Sequence, residues 1–396
     1  MSNFLTANWS FPTRVVTGAG SIRRLPELAR EYGMAKPLLV TDEGLKEMGF
    51  IAETLAMMTA AGLEAGFFHD VQGNPTEANL DAGVAVFKTG GHDGVIAIGG
   101  GSALDVGKVV ALMHGQNRPV WDFEDVGDWW TRADASKISP FIAVPTTAGT
   151  GSEVGRAGVI TNLATHEKKI IFHPAIMPKV AIEDPELSVG LPPVLTAGAG
   201  MDALAHCFEA YCVDSFHPLA DGVALEGIHL IDTYLPKAVA NGADIEARAY
   251  MLATASMGAT AFQKGLGAIH SVSHPVGARY NTHHGMTNGV LFPYVMIANR
   301  PAIEAKMARV AATLGLPGGG FDAVLEWILD LRKKTSVPHT LAELGVKAED
   351  VEAIAADAVK DPTAAANPRR FTVAHFAVLT RAAIDGDLSF EIPADG

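Results

Sequence analysis

"DGVIAIGGGSALD", residues 93–105, reads as a strand, a turn and the start of a helix in one short stretch. Residues 95–98 form an unbroken apolar run, too short for a helix and bounded by glycine, as expected of a strand buried on both faces. Gly99, Gly100 and Gly101 let the chain turn sharply and bring its backbone close to a ligand. Ser102 sits at or near the N-cap of the following helix, where free amides can hold pyrophosphate oxygens. Asp105 either belongs to that site or is a first-turn carboxylate that suits the helix dipole. The alternative for the whole motif is a glycine-rich turn that holds nothing.

The same texture recurs on either side. KPLLVTD (36–42), LEAGFFHD (63–70), FIAVPTT (141–147), GVITN (158–162), KKIIF (168–172) and KVAIED (179–184) read as strands. Helices are expected at about 44–60, at 76–87 and from Ser102. This alternation predicts a mostly parallel sheet covered on both faces, with ligands beyond the carboxyl ends of its strands. PTTAGTGSEV (145–154) also follows a strand and supplies Thr146, Thr147 and Thr150; GNPT (73–76), with Asn74, is a third strand-end loop. Three such loops at one sheet edge predict a large phosphorylated cofactor. Neither glycine motif matches GxGxxG or GxxxxGK[ST], so an ordinary Rossmann domain and an ATPase are not expected. Asp42 ends the first well-marked strand. There it either caps the next helix or accepts from a ribose diol and repels a 2′-phosphate, which favours NAD over NADP.

From Leu191 the pattern turns helical, at about 193–213, 219–239, 245–274, 301–314, 320–334 and 368–384. This predicts an α/β dinucleotide-binding domain over 1–184 and a helical metal-binding domain over 185–396, with chemistry in the cleft between them. GMDALAHCFE (200–209) places Asp202 and His206 on one helical face. GLGAIHSVSHPVGARYNTHHG (265–285) does the same for His270 and His274, before Pro275 and Gly277 are expected to break the helix; His283 and His284 follow in an expected loop. An Asp/His pair, a His from a second helix and a later His would form a four-ligand site suited to Fe²⁺ or Zn²⁺ and poorly suited to Mg²⁺. The remaining histidines are isolated and read as core or surface: His69, His92, His114, His166, His229 and His339, then His173, His217 and His375.

Composition narrows the classes. A chain of 396 residues exceeds one comfortable core. With 44 acidic residues against 30 basic, the net charge of −14 argues against a nucleic-acid partner. No run approaches the roughly 18 apolar residues of a membrane span. The opening MSNFLTANWSFPTRVV lacks a basic start followed by a long apolar core, so no export signal is expected. Two cysteines, Cys207 and Cys212, cannot form a disulfide framework, which suits a cytoplasmic setting.

GGGSALD, PTTAGTGSEV, DPEL (184–187), GMDALAH and HSVSHPVGARYNTHHG, in that order, resemble the iron-dependent (group III) alcohol dehydrogenase family. The resemblance runs from residue 37 to NPR at 367–369 and implies a dehydroquinate synthase-like fold. It implies Fe²⁺, with Zn²⁺ as the other possibility, on Asp202, His206, His270 and His284. It implies NAD on the glycine and threonine loops, with Asp42 at the adenosine ribose, Asn74 and Leu187 among the contacts, and Lys169 near the nicotinamide end. His274 then stands near nicotinamide and substrate, either relaying a proton or orienting the ligands. The small-molecule substrate would be an alcohol, aldehyde or ketone, and the assembly a homodimer through an edge strand at about 11–17. Ser271, Ser273, His283, Thr287 and Gly289 depart from the family pattern; Asn288 keeps it. The competing readings are a metal-assisted lyase like dehydroquinate synthase and a non-enzymatic metal-binding protein.

Overall fold

The computed structural model describes residues 13–165 and 167–393. Residues 11 and 12 of the expected edge strand, and His166, lie outside the described residues. The chain forms two compact units that divide between Leu191 and Pro192.

The first unit contains β1 (Arg14–Thr17), α1 (Leu25–Glu31), β2 (Pro37–Asp42), α2 (Gly49–Ala60), β3 (Gly66–Val71), α3 (Glu77–Gly90), β4 (Gly94–Gly99), α4 (Gly101–Met113), β5 (Phe141–Pro145), β6 (Ala157–Asn162), β7 (Glu167–Phe172) and β8 (Val180–Glu183). Six strands make one parallel sheet in the order β1-β8-β5-β4-β2-β3. The segments GVITN and KKIIF stand apart from it as an antiparallel pair, β6 and β7.

Alternation within the strands explains the layers. Val95 and Ala97 of β4 pack with Leu80, Phe87 and Leu104 on one side. Ile96 and Ile98 pack with Leu25, Leu28, Ile51 and Met58 on the other. Successive strand residues face opposite ways, so both faces must be apolar when helices cover both. Each fully buried aliphatic side chain of this kind contributes about 1.5–3 kcal/mol. Leaving β2, the chain reaches β3 at the sheet edge, then returns to β4 on the other side of β2 and continues to β5. The loops after β2 and β4 therefore diverge, and that divergence is where such sheets hold ligands.

The second unit contains α5 (Pro193–Cys212), α6 (Pro218–Ala240), α7 (Ile245–Ala261), α8 (Ala268–Tyr280), α9 (His284–Leu314), α10 (Gly320–Lys334), α11 (Val351–Ala358) and α12 (Val373–Asp385). From Thr196 to Cys212 every residue of α5 is buried.

Three helical expectations are corrected. The stretch 245–274 is two helices, α7 and α8, because the backbone breaks at Gly265, whose φ is 125°. Pro275 and Gly277 do not end α8: a proline there forfeits one bond to the Ser271 carbonyl, and burial of Ile269, Val272 and Val276 offsets it. His283 and His284 are not in a loop. His283 caps α9, its Nδ1 accepting the Met286 N–H at 3.2 Å, and His284 is the first helical residue. The expected helix at 301–314 is thus only the second half of α9, and α11 was not foreseen.

Candidate active site

In the first unit the loops after β2, β4 and β5 converge. Asp42, at the end of β2, accepts the Gly100 N–H through Oδ2 at 2.7 Å. It thereby caps α4 across the sheet rather than the helical turn that follows it in sequence, and Gly100, not Ser102, holds the N-cap position. Burial pushes the Asp42 carboxyl up to about 6, against the pull of the Gly100 and Ala103 amides. Glycine is required along this turn: a Cβ on Gly99 would lie 2.4 Å from Asp42 Oδ2, and one on Gly101 2.6 Å from Thr150 Cγ2. Thr147 also lies over Gly100, and the Thr146 N–H bonds to the Gly99 carbonyl at 2.9 Å. Asp42, Gly99, Gly100, Gly101, Ser102, Thr146, Thr147 and Thr150 are therefore brought to one place.

Other expected cofactor residues are held differently. Both Asp105 oxygens are engaged: Oδ1 accepts from Ser152 Oγ at 2.5 Å, and Oδ2 from the Val159 N–H at 2.9 Å. Lys108, 1% exposed, lies 3.2 Å from Asp105 and donates to the Ser152 and Ala157 carbonyls. This pair fastens α4 to the threonine loop and to β6. Lys169, on β7, is paired with Glu167 at 2.9 Å and Glu124 at 3.6 Å. Asn74 adopts a left-handed conformation (φ 54°) before α3, and Leu187 is buried against the sheet.

In the second unit three helices bring together one carboxylate and three imidazoles. Asp202 Oδ1 lies 3.5 Å from His206 Nε2, 3.7 Å from His270 Nε2 and 3.5 Å from His284 Nε2. A tetrahedral cation with bonds of about 2.1 Å separates its ligand atoms by about 3.4 Å, which the spacings from Asp202 Oδ1 to the three imidazoles approach. Ligand atoms of Asp202, His206 and His270, all buried, lie within 4.8 Å of one another. Burial alone would push the Asp202 carboxyl up; His206, His284 and His270 outweigh it and hold it well below the usual carboxylate range. Burial opposes charge on His270 too, but Asp202 and Glu209 raise it to about 9.

The helices can meet so closely because of glycine. A Cβ on Gly285 would sit 2.1 Å from the Gly198 carbonyl oxygen, so the backbones of α5 and α9 touch beside the site.

Three supporting residues were given no role by the sequence reading. Glu209, 4% exposed, holds His270 Nδ1 at 2.6 Å and accepts the Ile269 N–H at 2.7 Å, so it both orients a ligand and caps α8. Its signal was present, since Glu209 follows His206 by three residues on the same face of α5. Asp361 holds His274 Nδ1 at 2.7 Å. Burial pushes the Asp361 carboxyl up, but His274 and Thr363 outweigh that and keep it below the usual range. Thr363 Oγ1 donates to Asp361 at 2.5 Å and meets Ser271 Oγ at 2.9 Å, which gives that departure from the family pattern a place. The His274 ring lies parallel to that of His284, with centroids 5.4 Å apart. The third residue, Asn288, is taken up below.

A parallel sheet with glycine loops at its switch point, and a buried carboxylate among imidazoles, suit a metal-dependent dehydrogenase. Residues 12–185 match the iron-containing alcohol dehydrogenase family, and residues 196–384 match the C-terminal region of the Fe-containing alcohol dehydrogenase family. Among curated relatives, the NAD-dependent methanol dehydrogenase of Bacillus methanolicus is 37% identical over 384 residues, covering 95% of this chain and 100% of that protein. The 1,3-propanediol dehydrogenase of Klebsiella pneumoniae is 34% identical over 392 residues, 97% of this chain and 99% of that one. Among solved structures, a 1,3-propanediol oxidoreductase superposes with a TM-score of 0.90 at 34% identity, covering 95% of this chain and 99% of its own. The chain belongs to the iron-containing alcohol dehydrogenase family. It is an enzyme, a metal-assisted oxidoreductase that exchanges hydride between NAD(H) and a small alcohol or aldehyde, with iron and NAD as its cofactors. Among the described residues, no helix is long and apolar enough to cross a membrane.

Proposed function

We propose that this enzyme interconverts short primary alcohols or diols and their aldehydes, with NAD(H) as hydride carrier. The relatives named above support that substrate class, and the observation that carries the chemistry is the convergence of three imidazoles on one buried carboxylate oxygen. Asp202, His206, His270 and His284 would hold the metal, Fe²⁺ or alternatively Zn²⁺. When bound, the metal supplies Lewis acidity toward the substrate oxygen.

The protein's own groups do the rest. The Gly99–Gly100–Gly101 turn, Ser102, Thr146, Thr147 and Thr150 bind the cofactor diphosphate through backbone amides and hydroxyls. Asp42 accepts from the adenosine ribose and disfavours a 2′-phosphate. Asn74, Leu187 and Lys169 line the same cofactor, while Asp105 acts from behind by fixing the threonine loop. Asp361 accepts a hydrogen bond from His274 Nδ1–H, which leaves Nε2 as the acceptor for the substrate hydroxyl proton, directly or through water. The working form is a cytoplasmic homodimer paired through β1, which among the described residues stands at one end of the sheet.

Protein purified without oxygen and loaded with Fe²⁺ should reduce NAD with C2–C4 primary alcohols or diols, and chelation should abolish turnover. Absence of NADH formation across that series with metal bound would overturn the reading.

A further inference from the structure

We propose that Asn288 is a positioning residue for the metal site, its carboxamide fixing the carboxylate oxygen on which the imidazoles converge. The inference rests on the metal assignment made above. Asn288 lies one turn along α9 from His284 and is wholly buried. Its Nδ2 donates to Asp202 Oδ1 at 2.8 Å and lies 3.3 Å from both His270 Nε2 and His284 Nε2. One carboxamide thus faces three of the four expected ligand atoms, one from each of α5, α8 and α9.

Its other end is the second observation. Asn288 Oδ1 is buried and has no hydrogen-bond partner. A core chosen for stability alone would not keep a carbonyl oxygen there, because desolvating it without a partner is unfavourable. The geometry therefore favours Asp202, not the fold, as the beneficiary. With the N–H on Oδ1, the carboxylate cannot rotate away from the imidazoles, and the ligand atoms keep the spacing that one cation requires.

The two roles separate in a test on the full-length protein. Asn288→Leu keeps the branching of the side chain and removes both polar atoms; Asn288→Ala also removes the bulk. Co²⁺ titration of metal-free protein gives the dissociation constant, and the visible absorption of bound Co²⁺ reports the coordination geometry. Both variants should bind Co²⁺ about 10- to 100-fold more weakly, with altered absorption bands. The melting midpoint of the metal-free Leu variant should be unchanged or raised. Unchanged affinity and spectrum in a folded variant would overturn the inference. So would weaker binding accompanied by a proportionate loss of metal-free stability in both variants, or failure of both to fold. His270→Ala separates this from failure of the site itself: if the parent protein binds no Co²⁺, or binds it equally with His270 removed, the metal assignment falls first.

Discussion

Asp42→Asn isolates the energetic consequence of placing a carboxylate over a glycine turn. Burial raises the Asp42 carboxyl from an ordinary 3.8 to about 6. A folded-state value above the unfolded one means that the fold prefers the protonated acid. The difference, roughly 2 units, corresponds to about 3 kcal/mol. That destabilisation is absent below the unfolded value, grows as pH rises, and is complete above the folded one. Integrated, it is about 1.5 kcal/mol at pH 5 and about 3 kcal/mol at pH 8. Asparagine removes the ionisation and keeps an oxygen for the Gly100 N–H. The variant should therefore exceed the parent in stability by roughly 1.5 kcal/mol more at pH 8 than at pH 5, measured by urea unfolding at each pH. On the proposed role of Asp42, what retains the carboxylate is its discrimination against a 2′-phosphate. In the parent, the ratio of kcat/KM for NADPH to that for NADH should rise as pH falls through about 6. In the variant it should already be high at pH 8. An equal stability difference at both pH values, or a variant less stable at pH 8, would refute the reasoning.

Two further outcomes follow from the residues that brace the imidazoles. Glu209→Gln leaves one carboxamide oxygen where two carboxylate oxygens now serve His270 and the Ile269 N–H; metal affinity should fall about 10- to 100-fold, and equal affinity by titration would show that Glu209 does not orient the ligand. His274→Ala should lower kcat at least 100-fold and remove one limb of its pH profile, with metal content unchanged. An unaltered rate and profile would take His274 out of the proton path.

How much of this was legible depended on distance along the chain. The strands announced themselves because a sheet covered on both faces needs continuous apolar runs, and β2, β4 and β5 begin and end within a few residues of the expected bounds. The Asp202/His206 pairing was visible because helical periodicity brings i and i+4 together. Asp361 and Thr363 gave no such signal. Their partners lie 87 and 92 positions away, and only the packing of helices creates the contact. The start of α9 was hidden for another reason. Its cap is a histidine, outside the usual Ser, Thr, Asp and Asn set, and both His283 and His284 read as loop. Asp42 shows the intermediate case: the residue was found at the strand end, but the helix it caps is reached across the sheet and not along the chain.

Crystals grown anaerobically with Fe²⁺ and measured at the iron absorption edge address the central claim directly. The account predicts one anomalous peak, about 2.0–2.2 Å from Asp202 Oδ1 and from Nε2 of His206, His270 and His284. A peak bound elsewhere, or these four side chains turned from one another with no metal able to reach them, would contradict it.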